Sequence, residues 1–284
     1  MRLRLLALTL SLVASAAAQQ VPANQSPVPS TNSGNSTLAR IEANDPSTKK
    51  ARALLDKMIA ALGGDAYMNY SSMTQYGRAY SFYQGQPNSS GVRFWRFWKY
   101  PDKDRFELTK QRDVIDIYNG DKGYEITYKG TASIEPKDLQ DYIRRRNYSM
   151  EIILRQWLKD PTTLIFYDGS GLAEQRYVEK VTLLNKNNDS VTIGIDPDTF
   201  LPLQKSYTYR DPFDGLKSTD DEIYANYRVV QGIRTPLNIV RYHNGLQSAQ
   251  RFLSDVQYNV PIADDMFEAK VTYDMYKLNQ KKKK

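Results

Sequence analysis

Residues 92–128 read VRFWRFWKYPDKDRFELTKQRDVIDIYNGDKGYEITY. Short runs of aromatic and β-branched residues alternate there with turn formers, the pattern of strands joined by tight reversals. Strands are expected at 92–100, 105–109, 114–118 and 124–128, and the connectors 101–103 and 119–123 have room only for hairpins. The sheet must be antiparallel here. In the last run Tyr124, Ile126 and Tyr128 fall on one face while Glu125 and Thr127 fall on the other, so one face meets a core or cavity and the other meets water. The run 92–100 differs: Phe94 and Trp98 share one face and Trp95 and Phe97 the other, so both of its faces need cover.

Working outward from this stretch, a further strand is expected at 73–83. A helix precedes it, opened by Asp45, Pro46 and Ser47, with Ala53, Leu54, Met58, Ile59 and Leu62 at helical spacing and Gly63 and Gly64 at its end. Downstream, 136–159 breaks the strand rhythm with the longest helical segment of the mature chain. It carries Tyr142, Ile143, Ile152, Ile153 and Trp157 beside Arg144, Arg145 and Arg146, and residues 147–149 are placed to split it. Strand patterns resume at 164–167, 176–184, 191–195, 203–209, 222–230, 237–242 and 250–257. With about a dozen strands, a twisted open sheet curls or splits. One domain is expected over 45–275, mainly β with helices (α+β). Its form should be a curled antiparallel sheet or half-open β-barrel covering a central helical insertion.

The two ends read differently. Arg2 and Arg4, an apolar run over 5–13 and the small residues Ala14 to Ala18 have the grammar of a signal peptide over 1–18. The apolar run is shorter than the roughly 20 residues a membrane-spanning helix needs. Residues 19–44, rich in Pro, Ser, Asn and Gln, read as a disordered linker. The chain has no cysteine, which removes a lipid anchor, thiol catalysis and thiolate metal ligation, so the expected mature protein is exported, periplasmic and soluble. The net charge of +7 looks like a nucleic-acid signal until it is located: removing Arg2, Arg4 and Lys281 to Lys284 from the 39 basic residues leaves 33 against 32 acidic ones. Nucleic acid is therefore not an expected partner. The basic tail over 276–284 offers at most weak contact with an anionic membrane through Lys281 to Lys284.

Catalysis finds little to work with. His243 is the single histidine and no Gly-x-Ser-x-Gly elbow accompanies it. Asp196 and Asp198 flank Pro197 in a turn, supplying too few oxygens for calcium. The glycines at 120 and 123 belong to a hairpin and not to a phosphate loop. No enzyme activity, cofactor or metal is expected. The unusual feature is aromatic: 21 Tyr, 9 Phe and 3 Trp either fill a core or line an apolar cavity between the curled sheet and the helices. Phe94, Trp98, Tyr124, Ile126, Tyr128, Ile153 and Trp157 are the candidate lining residues.

At this point the chain resembles the LolA/LolB-like outer-membrane lipoprotein-sorting superfamily. The residues carrying the resemblance are Ala61-Leu62-Gly63-Gly64 at the first helix end, the central helical insertion and the 196–202 turn. To these add the Gly232 turn leading through Ile233 to Pro236, and the close at Asn259 and Phe267. It spans roughly residues 45–270. The resemblance implies a half-open antiparallel barrel wrapped around helices, whose apolar cavity shields acyl chains in the periplasm. The expected function is a non-catalytic periplasmic carrier or sensor of lipid, lipoprotein acyl chains or another apolar ligand, with envelope proteins as partners. The competing expectation is an envelope structural or interaction module with a filled core.

Overall fold

The computed structural model describes residues 45–273; the expected signal peptide, linker and basic tail lie outside the described residues. The chain opens with helix α1 (Pro46–Leu62) and the short α2 (Asp65–Asn69), followed by β1 (Ser72–Tyr83), β2 (Gln86–Pro87), β3 (Val92–Lys99), β4 (Lys103–Leu108), β5 (Val114–Asn119), β6 (Lys122–Thr127) and β7 (Gly130–Ser133). Helices α3 (Pro136–Asn147) and α4 (Met150–Arg155) come next. After them run β8 (Leu164–Ala173), β9 (Arg176–Leu184), β10 (Ser190–Ile195), β11 (Pro202–Arg210), β12 (Lys217–Val230), β13 (Ile233–His243) and β14 (Leu246–Tyr258).

Because nearly every strand returns beside its predecessor, one half of the sheet grows outward from β1 to β7 and the other runs inward from β8 to β14. The strand order is β7-β6-β5-β4-β3-β1-β14-β13-β12-β11-β10-β9-β8, with β2 paired to β1. Every described pairing is antiparallel, and the β1–β14 ladder joins the halves. The edges β7 and β8 do not meet, so the curled sheet is a half-open barrel. The helical insertion connects those two edges, and this position carries it across the inside of the curl.

Local chemistry sets the boundaries. Asp45 caps α1 by accepting the Thr48 amide at 3.0 Å, and Pro46 occupies the first turn, where its missing N–H costs nothing. Gly63 ends the helix at φ 129°; a Cβ there would stand 2.6 Å from the Gly232 carbonyl oxygen, so only glycine lets the helix end nest on the β12–β13 turn. Ser149 caps α4, accepting the Ile152 amide, and the insertion divides at 147–149 as its sequence suggests. The sequence reading had no place for α2, β2 or β7, which are too short to show a period.

The inner face of the sheet holds two kinds of packing. Under α1, the buried stripe Ala51, Leu55, Met58 and Leu62 joins Val181, Leu183, Ile193 and Ile195 of β9 and β10 in one apolar cluster. On β3 both faces are covered as the sequence requires. Phe94 and Trp98 are buried inward, while outward Trp95 lies against the Tyr76 ring at 5.0 Å and beneath the Arg112 guanidinium at 5.2 Å. The final segment straps the first half. Lys99 and Lys103 hold Asp264, the fully buried Phe267 anchors it, and the Thr131 and Thr272 amides donate to Thr272 Oγ1 and the Thr131 carbonyl, so edge β7 is not left open along its length.

Candidate functional site

A cavity of about 360 Å³ opens between the curled sheet and the helical insertion. Tyrosine pairs fix the insertion to both walls. Tyr142 of α3 stacks on Tyr118 of β5 at 3.5 Å, and Tyr148 stacks on Tyr207 of β11 at 4.0 Å. Arg146 donates to the Gly120 carbonyl at 2.6 Å on one side, and Arg144 donates to the Tyr209 hydroxyl at 3.0 Å on the other. Buried Arg155 donates to the Tyr70 carbonyl at 2.7 Å, which ties α4 to the start of β1. The cover over the cavity is thus held at each end and in the middle.

The walls are of two characters. One is aromatic and apolar, built by Tyr70, Trp98, Leu253 and Tyr258, with Tyr70 ringed by Trp98 at 5.7 Å and Tyr258 at 4.7 Å. The other is charged, and it follows from strand register. Lys205, Glu222 and Arg241 are cross-strand partners on β11, β12 and β13, so their side chains share one face as a single rung. Lys205 Nζ lies 2.8 Å from Glu222 Oε2, Arg241 Nε lies 2.8 Å from Glu222 Oε1, and the Tyr224 hydroxyl donates to the same carboxylate at 2.7 Å. Burial pushes the Glu222 carboxyl up, but Lys205 and Arg241 outweigh it and hold the group well below the usual carboxylate range.

A second charged group lies on β3 and β4. Arg96 Nε and Nη2 grip Asp104 at 2.9 and 2.8 Å, and the Tyr142 hydroxyl donates to Asp104 at 2.9 Å. Against the pull of burial, Asp104 holds the Arg96 guanidinium above its ordinary value. Glu151 accepts the Tyr70 hydroxyl at 2.6 Å. Asp116, on β5, has its carboxyl pushed up to about 6 by burial and by the like charges of Glu125 and Asp138. Three arginines of the lining, Arg145 on α3, the exposed Arg234 on β13 and Arg251 on β14, make neither an ion pair nor a side-chain hydrogen bond among the described residues. Burial, then the neighbouring Arg241, lowers Arg145. Burial and the cations Arg241 and Arg96 bring Arg251 down to about 9.

Of the residues singled out in the sequence, Trp98 stands in the cavity wall. Phe94, Ile153 and Trp157 are packed in the same apolar cluster as Trp98 but do not line the cavity, Trp157 edge-on to Tyr148 at 5.3 Å. Tyr124 and Ile126 lie half-buried on β6, where the inner face is closed by Leu139 and Ile134 over Gly123. Strand β6 stops at Thr127, which puts Tyr128 in the turn to β7 at 91% exposure and not on a shared inner face. The charged lining escaped the sequence reading, although its signal is visible. Arg96 sits in phase between Phe94 and Trp98, Arg241 two residues after Ile239, and Arg251 two before Leu253, each a charge on an apolar face.

The other polar positions behave as turn and strand-end chemistry. Asp196 accepts the Asp198 and Thr199 amides at 2.9 and 3.0 Å and pairs with Arg176, and exposed His243 meets Asp220 at 2.8 Å. Among the described residues no group of three or more His, Cys, Asp or Glu is placed to hold a metal ion. No described helix is long and apolar enough to cross a membrane.

Known structures with this fold are similar to the chain. A domain named for outer membrane lipoprotein sorting, from Vibrio parahaemolyticus, superposes with a TM-score of 0.50 at 11% identity, over 78% of this chain and 97% of its own. A DUF1329 family protein from Desulfovibrio piger gives 0.51 at 16% identity, over 77% and 97%. A LolA superfamily protein from Nitrosomonas europaea gives 0.48 at 12% identity, over 77% and 97%. At these identities the likeness is one of fold. No protein-family model matches the sequence, and no curated protein does either.

Proposed function

We propose that this protein is a non-catalytic carrier or sensor of the cell envelope, exported to the periplasm, which takes an apolar chain into the space between its curled sheet and the α3–α4 insertion. The observation that carries the reading is the cavity of about 360 Å³ with Tyr70, Trp98, Leu253 and Tyr258 along one wall. That volume lies within the roughly 300–1,000 Å³ typical of small-ligand sites. Each methylene moved from water onto such a wall gains about 0.8 kcal/mol, so a lipid or a lipoprotein acyl chain needs only a dry concave surface to be held. The similar structure named for outer membrane lipoprotein sorting supports a lipoprotein acyl chain as the ligand.

The test is native mass spectrometry of the gently purified full chain, together with uptake of N-phenyl-1-naphthylamine, a neutral probe that brightens in apolar surroundings. A co-purifying lipid mass, or probe fluorescence displaced by lipid, is expected. A chain that retains no lipid and never brightens the probe overturns the reading.

A further inference from the structure

The cavity has more positive charge than its own carboxylates neutralise. Glu222 is shared between Lys205 and Arg241. Asp104 is engaged by Arg96 and the Tyr142 hydroxyl, and Glu151 by the Tyr70 hydroxyl. Asp116 stands apart beside Glu125 and Asp138. Arg145 and Arg251 are left without an anion among the described residues, as are Arg146, which is held by the Gly120 carbonyl, and the exposed Arg234, and Arg241 has only a share of one.

The three arginines converge. Arg241 of β13 is the register partner of Ala249 on β14, so Arg251, two residues along, is its diagonal neighbour on the same face. Arg145 reaches the space from α3 and is close enough to Arg241 to feel its charge. Cations held together in a partly closed space repel one another and lose hydration, an arrangement that is costly until an anion enters. Guanidinium groups suit a carboxylate or phosphate because their planar forks donate two parallel hydrogen bonds to it.

We infer that Arg145, Arg241 and Arg251 form an anion site that receives the carboxylate or phosphate group of the ligand, with any chain attached to it lying along Tyr70, Trp98 and Tyr258. This rests on the carrier reading for the chain, while the anion site stands on the arginines. The groups facing Arg251 are Arg241 and Arg96, which oppose its charge, and Glu222 and Asp104, which favour it. An incoming anion adds to the second pair.

The experiment is calorimetric or fluorescence titration of the delipidated full chain at pH 7.5 with hexadecanoate, hexadecyl phosphate, hexadecanol and inorganic phosphate. Both charged chains should bind at least tenfold tighter than hexadecanol. Arg251→Gln and Arg145→Gln, on separate elements and each checked by circular dichroism, should remove about tenfold of that preference. Arg251→Lys should restore only part of it. Inorganic phosphate binding as tightly as hexadecyl phosphate, and lost in the same variants, would support the site and assign it to a free anion. Hexadecanol binding as well as hexadecanoate, with neither variant altering affinity, overturns the anion site and leaves the carrier reading standing. Phosphate bound without any of the chains overturns the carrier reading alone, and no binding by any probe overturns both.

Discussion

The interior beneath α1 and the interior beneath α3 and α4 are lined by the same sheet, yet one is filled and the other is not. Helix α1 offers a stripe of Ala51, Leu55, Met58 and Leu62 to strands whose inward residues are Val, Leu and Ile, and the two surfaces interlock. The insertion offers Tyr142, Arg145 and Arg146 to strands that answer with Arg96, Asp104, Glu222 and Arg241. Charged heads on long stems cannot close together as branched apolar side chains do, because each must keep a partner or water. The difference between packed core and cavity therefore follows from which helix faces which rungs. It also divides the work: the region under α1 holds the fold, and the region under α3 and α4 holds a space.

The comparison breaks first at Glu222, a carboxylate that binds two cations of the cavity wall. Glu222→Gln leaves Lys205 and Arg241 unneutralised beside Arg251, and a loss of about 4 kcal/mol is expected by urea denaturation. Because its carboxyl is held well below the ordinary value, the stability that Glu222 supplies is fully present above about pH 4.5, the unfolded value. It is lost as pH falls through the lower folded value. The variant should therefore show a shallower acid limb than the parent. If its midpoint moves little at pH 7, the charged rung is not what holds the region under α3 and α4.

In the filled half, Leu55→Ala removes a fully buried side chain at the centre of the α1 stripe. The lost burial and the residual void are expected to cost about 3 kcal/mol. Uptake of the neutral probe should be unchanged in the folded variant, since Leu55 is not part of the cavity wall. A variant that keeps its stability but loses probe binding would show that the two interiors are not separate.

How much of this was legible in the sequence depends on the same division. Alternation and hairpin-length connectors are local, and they point to the antiparallel sheet, its curling and the split of the insertion at 147–149; on α1 the expected Leu54, Met58 and Leu62 are buried, but Ala53 is exposed and Ile59 half-buried, and Ala51 and Leu55 complete the stripe instead. Register across distant strands is not local. That Lys205, Glu222 and Arg241 form one rung depends on β11, β12 and β13 aligning over some forty residues of sequence. A reading that seeks cavity walls among aromatic residues passes over arginines in phase with them. Phe94 and Trp98 lie buried on one face of β3, yet only Trp98 lines the space. Tyr128 misled because its alternation continues past the last ladder residue, Thr127, into a turn.

The smallest expected effect carries the opposite sign. Arg251 adds positive charge to the rung without an ion pair among the described residues, and burial together with Arg241 and Arg96 lowers its pKa to about 9 from an ordinary 12.5. The unfolded chain therefore holds that proton more tightly than the folded one between these values, and the destabilisation is fully present below about pH 9. Arg251→Met keeps an unbranched stem against Leu253 and removes the charge, so the ligand-free protein should gain about 1 kcal/mol at pH 7. Thermal melts at pH 7 would measure it. A variant less stable than the parent at pH 7 would mean that Arg251 is a structural member of the wall, and the charged half would then be a core of its own kind.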